Sequence, residues 1–315
     1  MIILNYGDPA DTFRCLRSLE DSLDLDLDIV VVNNGPEDDI HDALVLGVGE
    51  RAHVLSTGDN VGYAAGNNVG IAWVTGRGCD LVWILNPDTV VLPGTLTELR
   101  AHLAAVPDCG MVGPRLVLPG SPTRVWFDGG VVDDATAVTR HVSLGVLEAK
   151  APEPVALDVD YVTGASILVR RSVIEQVGGI PEQYFLYYEE VDWCRRAQKA
   201  GWRTMVNQHA RMVHLKRSSG ALPKPYYLYY MTRNRYHFAQ DCVGVDPELA
   251  LAHLDEDFLG PWRRKVESLA PHWSGSFDEI VSRAKSDARA GVYGRNDLIV
   301  DLPAADEDVH EPSPR

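Results

Sequence analysis

Three carboxylates fall within four residues of this sequence: Glu189, Glu190 and Asp192. They stand at the start of a helix predicted over Val191–Ala200, and aromatic residues flank them on both sides. An acidic cluster of this kind can supply a general base that deprotonates a hydroxyl group. The alternative is structural, because acids at a helix start interact favourably with the helix dipole and Arg195 and Arg196 offer ion-pair partners. The pattern alone leaves both interpretations open.

A second candidate for chemistry is the tripeptide Asn86-Pro87-Asp88, which follows the apolar run Leu81–Leu85. A carboxylate at the end of a strand, next to a rigid proline, is suited to bind a hard cation such as Mg²⁺ or Mn²⁺. His214 ends a later predicted strand and offers another ligand type, and the basic loop Lys216–Gly220 behind it would suit a phosphate. An Asx turn at Asp88 and a packed, structural histidine at position 214 are the alternatives.

The segment Asn60–Asn68 combines asparagines with small residues at Gly62, Ala64, Ala65 and Gly66. We expect Asn60 to cap a helix that extends to Trp73. Small side chains let the N-terminus of such a helix approach either a ligand or a neighbouring strand closely. Ligand binding and simple helix–sheet packing are equally compatible with this pattern.

Strands and helices that could position these residues alternate in the first 110 residues. The predicted strands are Ile2–Leu4, Ile29–Val32, His53–Leu55 and Leu81–Leu85, and a helix is predicted over Asp11–Leu23. Apolar strands in repeated β-α-β units predict an α/β fold with a Rossmann-like, mostly parallel sheet flanked by helices. Ligands of such sheets bind at the carboxyl ends of the strands, where Asn5-Tyr6, Asn33-Asn34 and Asn86-Pro87-Asp88 stand.

The later sequence changes in character after residue 110. Short strands and turns follow, with a hairpin predicted across residues 124–147, and residues 225–290 are predicted to be mostly helical. We therefore divide the chain into an α/β domain over residues 1–220, with halves 1–110 and 111–220, and a small helical C-terminal region over 221–300. The acidic, proline-containing tail over 301–315 is expected to be disordered.

The charge of the protein narrows the classes of ligand and partner. Its 29 Lys and Arg residues against 45 Asp and Glu residues give a formal net charge of −16. Such a surface repels the phosphates of nucleic acids, and an anionic substrate would need a local cation. Scattered cysteines without C-x-x-C spacing favour a reducing cytosol. No basic n-region begins the sequence, and no apolar run reaches the roughly 20 residues of a spanning helix. We expect a cytoplasmic protein. Peripheral contact with the inner face of the membrane is compatible with this expectation.

The order of these motifs resembles that of family 2 glycosyltransferases, the inverting enzymes with the GT-A fold, and especially their rhamnosyltransferase-like branch. The resemblance runs from Ile2 to about Gly220. It rests on seven motifs in the same order: Ile3–Tyr6, Val31–Gly35, Asn60–Asn68, Leu85–Asp88, Thr163–Ala165, Val177–Glu182 and Phe185–Arg196. The two halves of the α/β domain would then bind the nucleotide-sugar and the acceptor, respectively.

The resemblance also implies roles for individual residues in donor and metal binding. The residues implied for the donor are Asn5, Tyr6, Asn33, Asn60, Gly62, Tyr63, Gly66, Asn67 and Asn86. Asn33 takes the place of an Asp that binds the base or ribose in the family, so this chain lacks that charge. Asn86-Pro87-Asp88 stands where the family has its DxD motif. Asp88 would be the retained metal carboxylate, and His214 matches the late metal-binding histidine of the family.

For the chemical step, the resemblance implies a base among the carboxylates at the helix start. Glu190 occupies the position of the second acid of a Glu-Asp pair, usually the general base, and Glu189 competes for this role. Asp192 is implied to orient the helix start or to contact the acceptor. Further acceptor contacts are expected from four residues: Gly164, Ala165, Tyr188 and Trp193.

The implied reaction transfers a sugar from a nucleotide-diphosphate sugar, which is linked to dTDP or UDP. Rhamnose is a candidate for the transferred sugar. The acceptor would be a hydroxyl of a glycan, a lipid-linked sugar or a secondary metabolite, and Mg²⁺ or Mn²⁺ would assist. The alternative is a catalytically inactive homologue that binds carbohydrate or nucleotide as a scaffold, because Asn33 and Asn86 replace acids. The aromatic segment Tyr226–Arg235 predicts a helix that packs the C-terminal region onto the catalytic domain, with an acceptor groove or a homodimer contact as alternatives.

Overall fold

A computed structural model of the chain describes residues 1–19, 27–215, 222–300 and 302. These residues form two compact units. The first comprises Met1–Val132, Thr139–Glu182 and residues 189–215, and the second comprises Asp133–Val138, Gln183–Tyr188 and the described residues from 222 onward. The sequence did not set the two short segments of the second unit apart. The predicted basic loop Lys216–Gly220 and, except for Leu302, the predicted acidic tail lie outside the described residues.

Strands and helices alternate along the first unit, and helices make up most of the second. The strands are β1 (Ile2–Asn5), β2 (Val30–Asn33), β3 (His53–Ser56), β4 (Leu81–Leu85), β5 (Thr89–Val91), β6 (Cys109–Leu118), β7 (Arg124–Phe127), β8 (Gly130–Asp133), β9 (Val138–His141), β10 (Ala156–Asp158), β11 (Ser166–Arg170) and β12 (Arg203–His214). The helices are α1 (Ala10–Arg17), α2 (Asp38–Val48), α3 (Tyr63–Gly76), α4 (Thr95–Ala105), α5 (Arg171–Val177), α6 (Glu189–Lys199), α7 (Pro225–His237), α8 (Pro247–Leu254), α9 (Gly260–Leu269), α10 (Ser274–Arg289) and α11 (Asp297–Val300).

One large sheet organises the first unit. Its order is β10-β12-β6-β11-β4-β1-β2-β3, with β5 paired to β12 and β7 paired to β6. The strands β4, β1, β2 and β3 are parallel, as predicted, whereas β11 runs antiparallel to both β4 and β6. The carboxyl ends of β1, β2 and β4 therefore meet at one edge of the sheet. The predicted α/β fold with a mostly parallel sheet is confirmed.

The close packing of α3 on the sheet explains its small residues. A Cβ atom added to Gly66 would lie 2.6 Å from Cδ1 of Leu4, and one added to Gly70 would lie 2.5 Å from Cγ2 of Ile2. Real Cβ atoms do not approach other atoms so closely, so glycine is required for this helix to reach β1. Both Leu4 and Ile2 are buried in the core, where an unbroken apolar strand is typical of a sheet covered on both faces.

Two local predictions need correction, and a third is confirmed. The helix predicted over Asp11–Leu23 ends at Arg17, because the hydroxyl of Ser18 donates to the carbonyl of Cys15 and accepts the N–H of Val91. Asn60 does not cap α3, which begins three residues later with Gly62 at its N-cap. The hairpin predicted across residues 124–147 is confirmed, because β8 pairs with β9 within it and an antiparallel bridge joins Arg124 to Leu147. In addition, β7 pairs with β6.

The second unit is built from the helices predicted for the C-terminal region. An aromatic and aliphatic core holds them together, and Leu228, Tyr229 and Tyr230 of α7 are completely buried in it. The helix predicted over Tyr226–Arg235 is thus confirmed by α7, while its predicted packing onto the α/β domain stays a prediction. Among the described residues, no helix combines the length and the apolar character needed to cross a membrane.

Candidate active site

Two asparagines stand side by side at the ends of β1 and β2. Asn5 and Asn33 are register partners, and both are buried. The amide of Asn5 is used locally, since its Oδ1 accepts from the hydroxyl of Thr12 at 2.6 Å and its Nδ2 donates to the carbonyl of Gly7 at 2.9 Å. The Nδ2 and Oδ1 atoms of Asn33 are buried and have no hydrogen-bond partner among the described residues. An unsatisfied buried amide is costly, so Asn33 is the side chain at this edge that a ligand would satisfy.

Asn34, for which no role was predicted, organises the loop before α3. Its Oδ1 accepts the N–H of Val61 at 3.1 Å and the hydroxyl of Thr57 at 3.2 Å. Its Nδ2 donates to the carbonyl of Gly62 at 3.2 Å and to Oδ1 of Asn60 at 3.3 Å. Asn60 thus serves the loop rather than a helix cap. The doubled asparagine at the end of β2 is the sequence signal that could have revealed this function.

Tyr63, the first residue of α3, connects this helix to the region of the carboxylates. The hydroxyl of Tyr63 donates to the carbonyl of Gly164 at 2.6 Å. Burial raises the pKa of Tyr63 well above its ordinary value, and the charges of Glu190 and then Glu189 raise it further. Gly164 has no room for a side chain, because an added Cβ would lie 2.8 Å from the Tyr63 hydroxyl oxygen. The structure therefore brings two separately predicted motifs together.

The two asparagines in the first turns of α3 have different surroundings. Asn67 is fully buried and its Nδ2 donates to the carbonyl of Tyr63 at 2.9 Å, while its Oδ1 has no partner in the described part of the chain. Asn68, which the sequence did not single out, exchanges two hydrogen bonds with the backbone of Ile180 and donates to Glu182 at 2.7 Å. Asn68 thereby attaches the Gly178–Glu182 region to α3.

The paired glutamates at the start of α6 have unequal surroundings. Burial raises the pKa of Glu189 well above its ordinary value, and the charge of Glu190 raises it further. Burial also raises the pKa of Glu190, but the backbone N–H groups of Glu190 itself, Gly164 and Val191 donate to its carboxylate and oppose part of this shift. The Oε2 atom of each glutamate is buried and lacks a hydrogen-bond partner within the described ranges. The two carboxyl groups therefore share a raised pKa, and they differ in that the backbone N–H groups of Gly164 and Val191 hold the carboxylate of Glu190.

Asp192, predicted alongside these glutamates, is engaged elsewhere. It is buried, and its carboxylate accepts from Nε and Nη2 of Arg196 at 2.9 and 2.8 Å. A bidentate pair of this kind holds both oxygens in a fixed orientation. This geometry matches the expected role in orienting the helix start, and the role of Asp192 in the chemical step stays a prediction.

The residues expected to bind the acceptor occupy varied positions. The carbonyl of Ala165 accepts the N–H of Asn86 at 3.0 Å, which joins β11 to the end of β4. Trp193 is fully buried and its indole donates to the carbonyl of Gly178 at 3.0 Å, so its ring serves the packing of α6. Tyr188 belongs to the second unit, and Tyr6, expected to bind the donor, is 60% exposed. Acceptor contacts by these residues stay predictions.

The predicted metal ligands come together although they are far apart in the sequence. β5 pairs with the end of β12, and Nε2 of His214 lies 3.2 Å from Oδ2 of Asp88. The backbone N–H of Leu215 donates to the carbonyl of Asp88 at 2.7 Å, and the ring of Trp126 packs on His214 with a centroid distance of 4.1 Å. Trp126, another residue without a predicted role, thus positions the imidazole.

These two side chains fit a divalent cation of the kind that accompanies a nucleotide diphosphate. Mg²⁺ and Mn²⁺ sites on phosphates use one or two protein ligands and complete the coordination with phosphate oxygens and water. The carboxylate of Asp88 is about one-third exposed, whereas His214 is buried. No group of three or more His, Cys, Asp or Glu residues suited to a metal occurs in the described ranges. A protein-only metal cage is thus not found there, and the Asp88–His214 pair would supply two ligands to a phosphate-bound cation.

Comparison with known proteins gives one family and several relatives. The sequence model of glycosyl transferase family 2 matches residues 1–178. The N-acetylglucosaminyl-diphospho-decaprenol L-rhamnosyltransferase of Mycobacterium tuberculosis is 28% identical over 269 residues, which cover 76% of this chain and 83% of the relative. The low-salt glycan biosynthesis hexosyltransferase Agl10 of Haloferax volcanii is 26% identical over 299 residues, which cover 90% of this chain and 91% of the relative.

Two solved structures share the fold. The mannosyltransferase PcManGT from Pyrobaculum calidifontis, in complex with GDP-Man and Mn²⁺, has a TM-score of 0.52 at 14% identity and covers 91% of this chain and 86% of its own. GalNAc-T7, with UDP, GalNAc and Mn²⁺, has a TM-score of 0.54 at 11% identity, and the match spans 83% of this chain and 57% of that one. At such identities the similarity concerns the fold alone.

Proposed function

This chain belongs to glycosyl transferase family 2, and on that premise we propose that it is an inverting enzyme with Glu190 as its general base. That it is a glycosyltransferase with the GT-A fold confirms the family and fold predicted from its motifs. The proposed reaction moves a sugar from a dTDP- or UDP-linked donor to a hydroxyl of a glycan or lipid-linked acceptor. The name of the M. tuberculosis relative, a rhamnosyltransferase, makes rhamnose the first donor sugar to test.

The observation that carries this proposal is the environment of the Glu190 carboxylate. Donation from the N–H groups of Gly164 and Val191 orients the group, while its Oε2 atom has no partner among the described residues. A raised pKa makes the carboxylate a stronger base than an exposed glutamate, provided that it is ionised. Repulsion between the two neighbouring carboxylates opposes the ionisation of both, so one of them keeps its proton, and we assign the charge to Glu190 because backbone N–H groups hold its carboxylate. Glu190 therefore accepts the proton and Glu189 stays neutral.

The bond changes of the proposed step follow from this assignment. The acceptor hydroxyl transfers its proton to Oε2 of Glu190 while its oxygen forms a bond to the anomeric carbon. The bond from that carbon to the donor diphosphate breaks on the opposite face, so the configuration inverts. Asp88 and His214 would hold a divalent cation, which when bound neutralises the diphosphate and stabilises it as a leaving group.

Binding of the donor nucleotide is proposed at the carboxyl ends of β1, β2 and β4. The buried, unpartnered amide of Asn33 offers one donor and one acceptor to a base or ribose. Asn34 supports this site because it holds the loop that ends at Gly62. The formal net charge of −16 makes a cation at Asp88 the means of accommodating two phosphates in an acidic protein.

Calorimetric titration with dTDP, UDP and GDP, each with Mn²⁺ and with EDTA, tests the site. We expect one of the pyrimidine nucleotides to bind most tightly and its affinity to fall at least about tenfold in EDTA. Incubation with the matching rhamnose donor and a polyprenyl-diphosphate-linked N-acetylglucosamine should then give a product of inverted anomeric configuration by NMR. Retained configuration, or equal binding with and without metal, contradicts the mechanism. Metal-dependent binding without transfer or donor hydrolysis favours the inactive scaffold.

A further inference from the structure

The six residues directly before α6 adopt an unusual backbone conformation. In this segment, Gln183–Tyr188, which we call the aromatic loop, Phe185, Tyr187 and Tyr188 have φ angles of +67°, +69° and +76°. Large side chains rarely adopt these left-handed conformations, because the Cβ atom crowds the following carbonyl group. Strained conformations persist only where surrounding contacts enforce them, and they concentrate at functional sites.

The contacts that enforce this conformation come from one residue pair on α7. The Nδ2 atom of Asn234 donates to three carbonyl groups of the aromatic loop, those of Tyr184, Leu186 and Tyr187, at 3.0, 2.7 and 3.0 Å. Nη2 of Arg233 also donates to the carbonyl of Tyr184, at 2.9 Å. The amide nitrogen carries only two hydrogens, so the three carbonyl groups share them. This part of the loop therefore wraps around the single side chain of Asn234.

The orientation of the Asn234 amide is itself determined. Nε of Arg233 donates to Oδ1 of Asn234 at 2.9 Å, which directs the NH₂ group towards the loop. Arg233 is completely buried, lies over the rings of Tyr229 and Tyr230, and donates through Nη1 to the carbonyl of Gly294. The N–H of Gly294 in turn donates to the carbonyl of Gln183, the first residue of the loop. Hydrogen bonds to Gly294 thus attach both Arg233 and the first residue of the aromatic loop to the second unit.

We propose that Asn234, oriented by Arg233, is a positioning residue for the glycosyl transfer step, an inference that rests on the proposed role of Glu190. No residue separates the aromatic loop from α6, which begins at Glu189 immediately after Tyr188. Tyr187 and Tyr188, with their left-handed φ angles, are therefore the last two residues before the helix that carries Glu190. Asn234 holds these angles through hydrogen bonds to the loop carbonyls and touches no reacting atom.

Asn234→Ala and Asn296→Ala form a matched pair of variants that tests this role. Asn296 lies in the same unit, but its Nδ2 donates to the hydroxyl of Tyr229 and to Asp287 rather than to the aromatic loop. We expect Asn234→Ala to lower kcat by about tenfold or more while KM for the donor changes by less than about twofold. Asn296→Ala should stay within about threefold of the wild type in both constants. A kcat of Asn234→Ala equal to that of Asn296→Ala overturns the proposal.

Adding Tyr187→Gly to Asn234→Ala separates positioning from general destabilisation. Glycine adopts a φ of +69° without steric cost, so the double variant should recover part of the lost kcat. If Asn234 only stabilises the fold, the second substitution lowers the activity further, because it also removes the contact of the Tyr187 ring with Tyr227. Should Asn234→Ala fail to fold, Asn234→Ser, which retains a single hydroxyl donor, takes its place in both comparisons.

Hydrogen exchange of the whole protein provides a readout that does not depend on turnover. Asn234→Ala should speed exchange at residues 184–191 and leave the core strand β4 unchanged, whereas Asn296→Ala should not affect residues 184–191. Unchanged exchange at 189–191 in Asn234→Ala refutes the positioning role, even if the wild type transfers no sugar. In contrast, a wild type without donor binding or transfer refutes the proposed function, and the exchange data then decide on the loop contact alone.

Discussion

Substitution of each paired glutamate by glutamine should have opposite consequences. Glutamine keeps the size of the side chain but neither ionises nor accepts a proton as a base. Glu190→Gln removes the proposed base, whereas Glu189→Gln replaces the buried carboxyl that we propose to be neutral. The first variant is expected to lose activity with little change in stability, and the second to gain stability with little change in activity.

The expected changes in activity and stability follow from the surroundings of the two carboxyl groups. General base catalysis contributes about 10²- to 10⁴-fold, so Glu190→Gln should raise the barrier by about 3–5 kcal/mol. Glu189 has a folded-state pKa above its unfolded value, so the folded protein binds more protons and its stability falls as pH rises through this window. Each unit of that shift costs about 1.4 kcal/mol at a pH above the folded pKa. Glu189→Gln removes this cost, and its unfolding midpoint near neutral pH should rise by at least about 2 °C.

Two assays measure these effects on the same preparations. Initial rates with saturating donor and Mn²⁺ give kcat, and the pH dependence of the wild type should show activity rising as Glu190 loses its proton, above the usual range of a carboxyl group. Thermal unfolding between about pH 5.5 and about pH 8 gives the stability slope, which should be shallower for Glu189→Gln than for the wild type. Calorimetric titration of the nucleotide with Mn²⁺ checks that both variants bind the donor.

The following results would contradict the roles assigned to Glu189 and Glu190. If Glu189→Gln abolishes transfer and Glu190→Gln retains it, the base is Glu189 and the neutral partner is Glu190. If both variants retain wild-type kcat, neither carboxylate takes the proton. A Glu189→Gln variant that is less stable than the wild type at neutral pH would mean that the carboxylate of Glu189 is ionised and stabilised in the folded protein.

Three further variants test the supporting residues. His214→Ala should weaken the binding of Mn²⁺ and nucleotide by about tenfold or more in calorimetry; unchanged affinity would exclude it as a ligand. Asn34→Ala, which removes four hydrogen bonds to residues 57–62, should raise the nucleotide Kd by about tenfold and lower the unfolding free energy by about 1–3 kcal/mol. Asp192→Asn should destabilise the protein by about 1–3 kcal/mol in denaturant unfolding, because Arg196 loses its partner, while kcat changes less than about threefold. A large kcat loss without destabilisation would place Asp192 in the chemistry.

Much of the fold could be predicted because local patterns encode local structure. The apolar run Val30–Val32 forms β2, and the motif order predicted the family over the matched residues 1–178. The ends of helices were harder to predict from the sequence. The end of α1 at Arg17 depends on Ser18, whose hydroxyl accepts the N–H of Val91, 73 positions away in the sequence. Distant partners of this kind leave no periodic signal.

The site shows the same division between local and distant contacts. The sequence could identify Asn33 and Asn34 as a strand-end pair, but only the fold shows that Asn34 satisfies its amide within the protein and Asn33 does not. The left-handed conformation at Tyr187 could likewise not be predicted from the sequence, because the hydrogen bond that holds it comes from the distant residue Asn234 on α7. Residues that position the site were therefore missed more often than residues that resemble a motif.

The sequence by itself determined the family, the sheet, and the presence of three acids at the start of one helix. Only the tertiary structure decided how those acids differ. Asp192 is held by Arg196, Glu189 is buried beside another charge, and Glu190 receives the N–H groups of Gly164 and Val191. The physical reason is that a carboxyl group takes its pKa and its hydrogen bonds from whatever surrounds it in space, and residues distant in the sequence supply much of those surroundings.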